Sequence, residues 1–239
     1  MILLDGSSLT IDDIAQVARH GARVGLTPEA AVRVGASRAV VDSHAALPTA
    51  VYGINTGFGA LAEVAIPADQ LAALQVNLLR SHAAGVAEPL SPADVRAVML
   101  LRANVLAKGF SGIRLDTLEA LLAMLNAGVL PRVPSRGSVG ASGDLAPLAH
   151  IALVLIGEGA LLPESAPRPA PIPLGPKEGL ALINGTQAST GVLALAVQAA
   201  ARLARAADVA AALSIDALRG SARPFDARIH AARPVPGQA

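Results

Sequence analysis

The chain has no cysteine and no tryptophan, and one tyrosine and three phenylalanines among its 239 residues. The absence of cysteine excludes disulfides and thiolate metal sites. With aromatics at 2% and hydrophobic residues at 53%, any core must be aliphatic and alanine-rich. Alanine and leucine are strong helix formers, so this composition favours an all-α fold. Charge of either sign is scarce as well. The net charge is +1 and no block of like charges occurs, which offers nothing to nucleic acid or another polyanion. No two histidines stand at ligand spacing, so no protein-built metal site is expected.

Long apolar runs are also missing. The mean hydropathy of +0.52 is high, but the most apolar segment, Ile151 to Ile156, falls well short of the ~20 residues that span a bilayer. The alanine-rich stretch after Gly191 is interrupted by Arg202 and Arg205. The start, Met1-Ile2-Leu3-Leu4-Asp5, lacks the charged and apolar regions of a signal peptide. The expectation is a soluble cytoplasmic protein with no membrane partner. Asn184-Gly185-Thr186 fits a glycosylation sequon, and without a secretory signal the match is incidental.

What the chain does have is a series of helix punctuation marks. Thr10 can cap a helix to about His20, with Gly21 as its stop. Thr27-Pro28 opens a second helix, to about Ala46, because proline suits the first helical position. Residues 52–59 hold three glycines and read as a loop. Pro67 opens a helix carrying Leu71, Leu74, Leu78 and His82, and Ser91-Pro92 opens another that ends near Gly109. Leu118, Leu121, Leu122 and Leu125 share one helical face, which stops at Gly128. Pro131 and Pro134 hold the chain extended, and Asp144 is placed to cap the next helix. Residues 163–176 contain six prolines and read as a surface excursion. From about Thr186 to Leu218 the pattern is one long helix. No period-2 strand and no internal repeat is expected.

The glycine-rich block Gly137-Ser138-Val139-Gly140-Ala141-Ser142-Gly143-Asp144 can do unusual chemistry. The Gly143 nitrogen can attack the Ala141 carbonyl and close a five-membered imidazolone. Loss of the Ser142 hydroxyl then leaves an exocyclic methylidene. Glycine has no Cβ to block closure, serine carries the leaving hydroxyl, and alanine is small enough for the turn. The tripeptide alone fits an ordinary flexible loop equally well; its surroundings distinguish it. A serine hydrolase reading fails, because the nucleophile elbow needs Gly-x-Ser-x-Gly. The glycines around Tyr52 do not make a phosphate loop either, since the Gly-Lys-Ser/Thr ending is absent.

Five blocks, in order, resemble the aromatic amino acid ammonia-lyases, and within them the histidine branch. They are Tyr52-Gly53-Ile54-Asn55-Thr56-Gly57-Phe58-Gly59, Ser81-His82-Ala83-Ala84-Gly85, Ser135 through His150, Asn184-Gly185-Thr186-Gln187, and Arg223-Pro224-Phe225-Asp226-Ala227-Arg228-Ile229-His230. The resemblance implies an all-α architecture of the fumarase and aspartase type. It divides the chain into an electrophile-bearing domain at 1–185 and the start of a central helical bundle at 186–239. It implies a 4-methylidene-imidazol-5-one made autocatalytically from Ala141, Ser142 and Gly143, with no external cofactor.

The implied reaction is elimination of ammonia from L-histidine to trans-urocanate, the first step of histidine degradation. Covalent attachment to the electrophile deals with the poor leaving group, and a positioned base with the weakly acidic β-proton. By the resemblance Tyr52 is that base. A free phenol has a pKa of about 10, so its site must favour the phenolate, and the neighbouring glycines would let the loop open and close. His82 is the implied selectivity residue: a polar side chain satisfies an imidazole that an apolar one would leave unpaired, at ~1–3 kcal/mol. Asn184 and Gly59 complete the implied substrate contacts. Without the family, Tyr52 and His82 read equally as packed structural residues, and Asn184 as a turn or cap. His150 and His230 read as structural.

The chain ends at Ala239, whereas members of the family continue through a second portion of similar length, including the arginine that grips the substrate carboxylate. The expectation is therefore self-association, as in the family's homotetramers, or a second chain that supplies the remainder. The alternatives are a tyrosine or phenylalanine lyase or aminomutase, or a catalytically incomplete scaffold.

Overall fold

The computed structural model describes residues 1–140 and 143–237. Ala141 and Ser142, the residues expected to form the ring, lie outside the described residues, as do Gln238 and Ala239. Two compact units are present, Met1–Leu195 and Ala196–Ala239.

The first unit is mainly helical. Helix α1 (Ile11–His20) opens on a capping box in which the Thr10 hydroxyl and Asp13 exchange hydrogen bonds with each other's backbone, and it ends on Gly21 in the left-handed conformation. Such reciprocal caps satisfy amide groups that a helix start leaves unpaired. Helices α2 (Pro28–Ala45) and α4 (Pro92–Ala107) each begin with a hydroxyl cap followed by proline, from Thr27 and Ser91. Between them, a 3-10 turn at Ala68–Gln70 leads into α3 (Leu71–His82). Helix α5 (Leu115–Asn126) follows, then α6 (Leu145–Leu155) and the short α7 (Glu178–Ile183).

The core is centred on α4, which packs on α1 and α5, and on α6, which packs on α3 and α7. Its fully buried members include Leu79, Met99, Leu100, Leu106, Leu118, Leu121, Leu148 and Leu155. The expected aliphatic, all-α core is what forms.

Strands are present too, contrary to the period-2 reading, but none exceeds four residues. β1 (Ile2–Leu4) pairs in parallel with β2 (Val24–Leu26). β3 (Val86–Pro89) runs antiparallel to β5 (Pro134–Arg136), and β4 (Leu130–Pro131) to β6 (Leu161–Leu162). Pieces this short carry too few residues for alternation to show in the sequence. The proline-rich 163–176 stretch is mostly on the surface, yet Leu174 is buried and the segment is tied inward by Glu178.

Helix α8 (Gln187–Ala217) begins in the first unit and continues through much of the second. The stretch 178–217 is long and apolar enough, by length and composition, to cross a membrane, although 44% of its most apolar window is buried within the protein. The rest of the second unit is a 3-10 turn at Arg223–Phe225 and α9 (Ala227–Ala232), capped by Asp226, which also pairs with Arg228. His230 lies in α9.

Candidate active site

Three segments meet around Gly137, Gly143 and Asp144. The first is the block itself. The second is the α3–β3 link, which carries His82 to Gly85. The third is the α7–α8 turn, which carries Asn184 and Gly185.

The α7–α8 turn touches the block directly. The Asp144 amide donates to the Gly185 carbonyl at 2.6 Å. A Cβ on Gly143 would stand 3.0 Å from the Gly185 nitrogen and 3.3 Å from Asn184 Oδ1. A side chain at this position would crowd the turn, and glycine avoids that contact.

Asp144 is fully buried, and its position is the helix start expected for it. Its side chain, however, does not cap α6. One carboxylate oxygen accepts from the Ser138 hydroxyl; the other accepts from the amide and hydroxyl of Ser189, both at 2.8 Å. Asp144 therefore caps α8, a helix that starts more than forty residues later, at the third residue of its first turn. Burial pushes this carboxyl up, but the hydrogen bonds from Ser138, Ser189 and the Ala188 amide outweigh it and hold it below the usual carboxylate range. The bonds to the charged form win because they are several and short.

The α3–β3 link approaches from the other side. A Cβ on Gly137 would fall 2.8 Å from Gly85 Cα. The Gly85 amide donates to His150 Nε2 at 3.2 Å, so His150 carries its proton on Nδ1 and pins the link to α6. Burial, aided by the Arg132 charge, pushes the His150 pKa down, which keeps the ring neutral and able to accept.

His82 ends α3 half-buried. Its Nδ1 lies 2.9 Å from the Leu78 carbonyl and 3.1 Å from Ser81 Oγ. The carbonyl can only accept, so Nδ1 bears the proton and Nε2 is the nitrogen that can receive a donor.

Tyr52 is 57% exposed, its ring edge-on to Phe58 with centroids 6.4 Å apart. The loop beneath it is pinned. Asn55 and Thr56 are buried; Asn55 Nδ2 donates to the Leu47 and Thr49 carbonyls, and the Val51 amide donates to Asn55 Oδ1. A Cβ on Gly53 would strike Leu180 of α7 at 2.8 Å. The Gly53 φ of +76° is a left-handed conformation that glycine adopts without strain. Gly59 is exposed at the start of a 3-10 turn (Gly59–Leu61), with open space around its Cβ position.

Among the described residues, then, Gly143 lies against Asn184 and Gly185, Gly85 of the α3–β3 link lies against Gly137 of the same block, and Gly53 of the Tyr52 loop lies against Leu180 of α7. Asn184 is exposed, like Tyr52. Among the described residues no cluster of three potential metal-ligating side chains occurs.

Arg102 escaped the sequence reading. It is buried in α4, with its guanidinium under the α7–α8 turn. The signal was available: a charge inside the apolar run from Val95 to Ala107, at a core position.

A family model described as aromatic amino acid lyase matches residues 9–239. The chain is 56% identical to a histidine ammonia-lyase of Anaeromyxobacter dehalogenans (strain 2CP-C), over 99% of this chain and 50% of that protein. It is similar to the crystal structure of histidine ammonia-lyase from Trypanosoma cruzi, at 45% identity and a TM-score of 0.90, covering 99% of this chain and 48% of that one. Tyrosine aminomutase from Streptomyces globisporus is a further structural relative, at 38% identity and a TM-score of 0.88, over 99% of this chain and 47% of that one. The chain thus spans about half the length of the relatives it matches. With a family match over almost all of its length, the chain belongs to the aromatic amino acid lyase family.

Proposed function

We propose that this chain carries the electrophile-bearing part of an ammonia-lyase that converts L-histidine to trans-urocanate. The observation that carries the reading is the contact of Gly143 and Asp144 with the Asn184–Gly185 turn. Identity to the histidine ammonia-lyases exceeds that to the tyrosine aminomutase, which supports histidine as the substrate.

The methylidene-imidazolone formed from Ala141, Ser142 and Gly143 supplies an electrophile that no protein side chain offers. Gly143 suits it, because the space a Cβ would need is taken by Gly185 and Asn184. The remaining work falls to side chains. Tyr52 removes the β-proton. His82, with Nε2 as acceptor, receives the imidazole N–H of the substrate. Asn184 offers both a donor and an acceptor beside Gly143, and Gly59 leaves room for substrate at the edge of the Tyr52 loop. Residues 1–185 form the electrophile-bearing domain, and 186–239 the start of a helical bundle. The assembly is a cytoplasmic homotetramer, or is completed by a second chain.

The test compares elimination rates on histidine, tyrosine and phenylalanine for the wild type and for His82→Leu. Histidine should be the best substrate, and the variant should lose about tenfold or more on histidine alone, as expected for a polar ring left unpaired. A higher rate on tyrosine, or a β-amino acid product, would move the chain to the tyrosine lyases or aminomutases. No turnover under any condition would leave a scaffold.

A further inference from the structure

We propose that Arg102 is a positioning residue for ring formation: it fixes the Asn184–Gly185 turn against Gly143 and Asp144. The inference rests on the lyase reading of the site.

Arg102 is 3% exposed. Its Nη1 donates to the Asn184 carbonyl at 2.9 Å and to Gln187 Oε1 at 2.8 Å, and its Nη2 donates to the Ala181 carbonyl. All three acceptors belong to one short stretch, from the last turn of α7 to the first residue of α8. Among the described residues no carboxylate forms an ion pair with it. A buried cation without a counter-ion is expensive to keep, and burial pushes this guanidinium down to about 10. Its Nε lacks a hydrogen-bond partner. A leucine at this place would pack in the core at less cost, so core packing does not explain the arginine. The exposed ends of helix carbonyls do, since they attract positive charge.

The geometry transmits this grip to the reacting loop. Gly185 lies so close over the guanidinium that a Cβ there would fall 2.3 Å from Nη1 and 2.1 Å from Gln187 Oε1. The other side of Gly185 accepts from the Asp144 amide. Arg102, the turn and the Gly143–Asp144 backbone thus stack in three layers. Ring closure forms a bond from the Gly143 nitrogen to the Ala141 carbonyl carbon, and the carbonyl oxygen leaves as water with the Gly143 and Ser142 amide hydrogens, leaving a C=N bond to the Ser142 nitrogen. A second water takes the Ser142 hydroxyl and its α-hydrogen. Both steps are dehydrations and require no oxidant. They do require Gly143 to be held close to Ala141, and the turn beneath Arg102 is the wall against which Gly143 rests.

The test is Arg102→Lys in the full chain, which keeps the charge and loses the fork. Two quantities are read: amide hydrogen exchange at residues 143–148 and 181–189, and the time course of water loss by intact mass. Exchange in both segments should rise by about tenfold or more, with α1 and α5 unchanged, and ring formation should slow by about the same factor. Unchanged exchange at the turn would overturn the proposal, whatever the ring does. Raised exchange with ring formation at the wild-type rate would also overturn it, leaving Arg102 a merely structural residue. If the wild type never loses water, the lyase reading and the ring-forming role fail together, and exchange still decides whether Arg102 holds the turn. If Arg102→Lys does not fold, Gln187→Leu, which removes one acceptor, carries the same two measurements.

Discussion

Tyr52 stands in solvent on a loop whose base is buried and hydrogen-bonded on several sides. That combination suits a base that must meet its substrate at a set distance. Tyr52→Phe removes only the hydroxyl and leaves the edge contact with Phe58, so the fold should be unchanged. Its turnover should fall by about a hundredfold or more, the usual contribution of a positioned proton acceptor, while ring formation proceeds as in the wild type. Steady-state rates and intact mass on the same sample check both halves of that expectation. At this scale the proposed site comes from the family blocks, because Tyr52, His82, Asn184 and Gly143 each sit inside a contiguous motif. For Arg102 the sequence offers only a charge inside an apolar run; what it holds is not legible, because its partners lie some eighty residues away.

Helix starts were legible wherever the cap is local. Thr10, Thr27 and Ser91 each bond an amide three residues on, and sequence spacing alone locates them. Asp144 shows where this fails, for its position begins one helix while its carboxylate caps another. Asp144→Ala should therefore destabilise the protein by about 1–2 kcal/mol, in the range of a lost cap, with the loss centred on the start of α8. Urea melts give the magnitude, and amide exchange at residues 187–190 gives the place.

His150 belongs to this scale as well, since it joins β3's leading link to α6. Its folded pKa is below the ordinary value of 6.5, so in acid the unfolded chain binds the proton first. The stability this neutral ring contributes is present above pH 6.5 and is lost as pH falls from there through the lowered folded value. Thermal melts should show that decline in the wild type, and His150→Gln, which has no titrating ring, should flatten it. Equal pH dependence in the two proteins would remove His150 from the account.

At the scale of the whole molecule, an aliphatic all-helical core follows from a composition rich in alanine and leucine, and needed no motif to foresee. The short strand pairs did not follow, because their register depends on neighbours distant in sequence, such as Val86 with Arg136. The alanine-rich continuation of α8 leaves Val197, Leu203, Val209 and Leu213 exposed. Intact mass of the purified protein shows whether the block around Gly143 makes its own electrophile. The wild type should weigh two waters less than its sequence value, and Ser142→Ala should keep the unmodified mass and show no turnover. An unmodified wild-type mass, or activity undiminished in Ser142→Ala, would contradict a self-made electrophile.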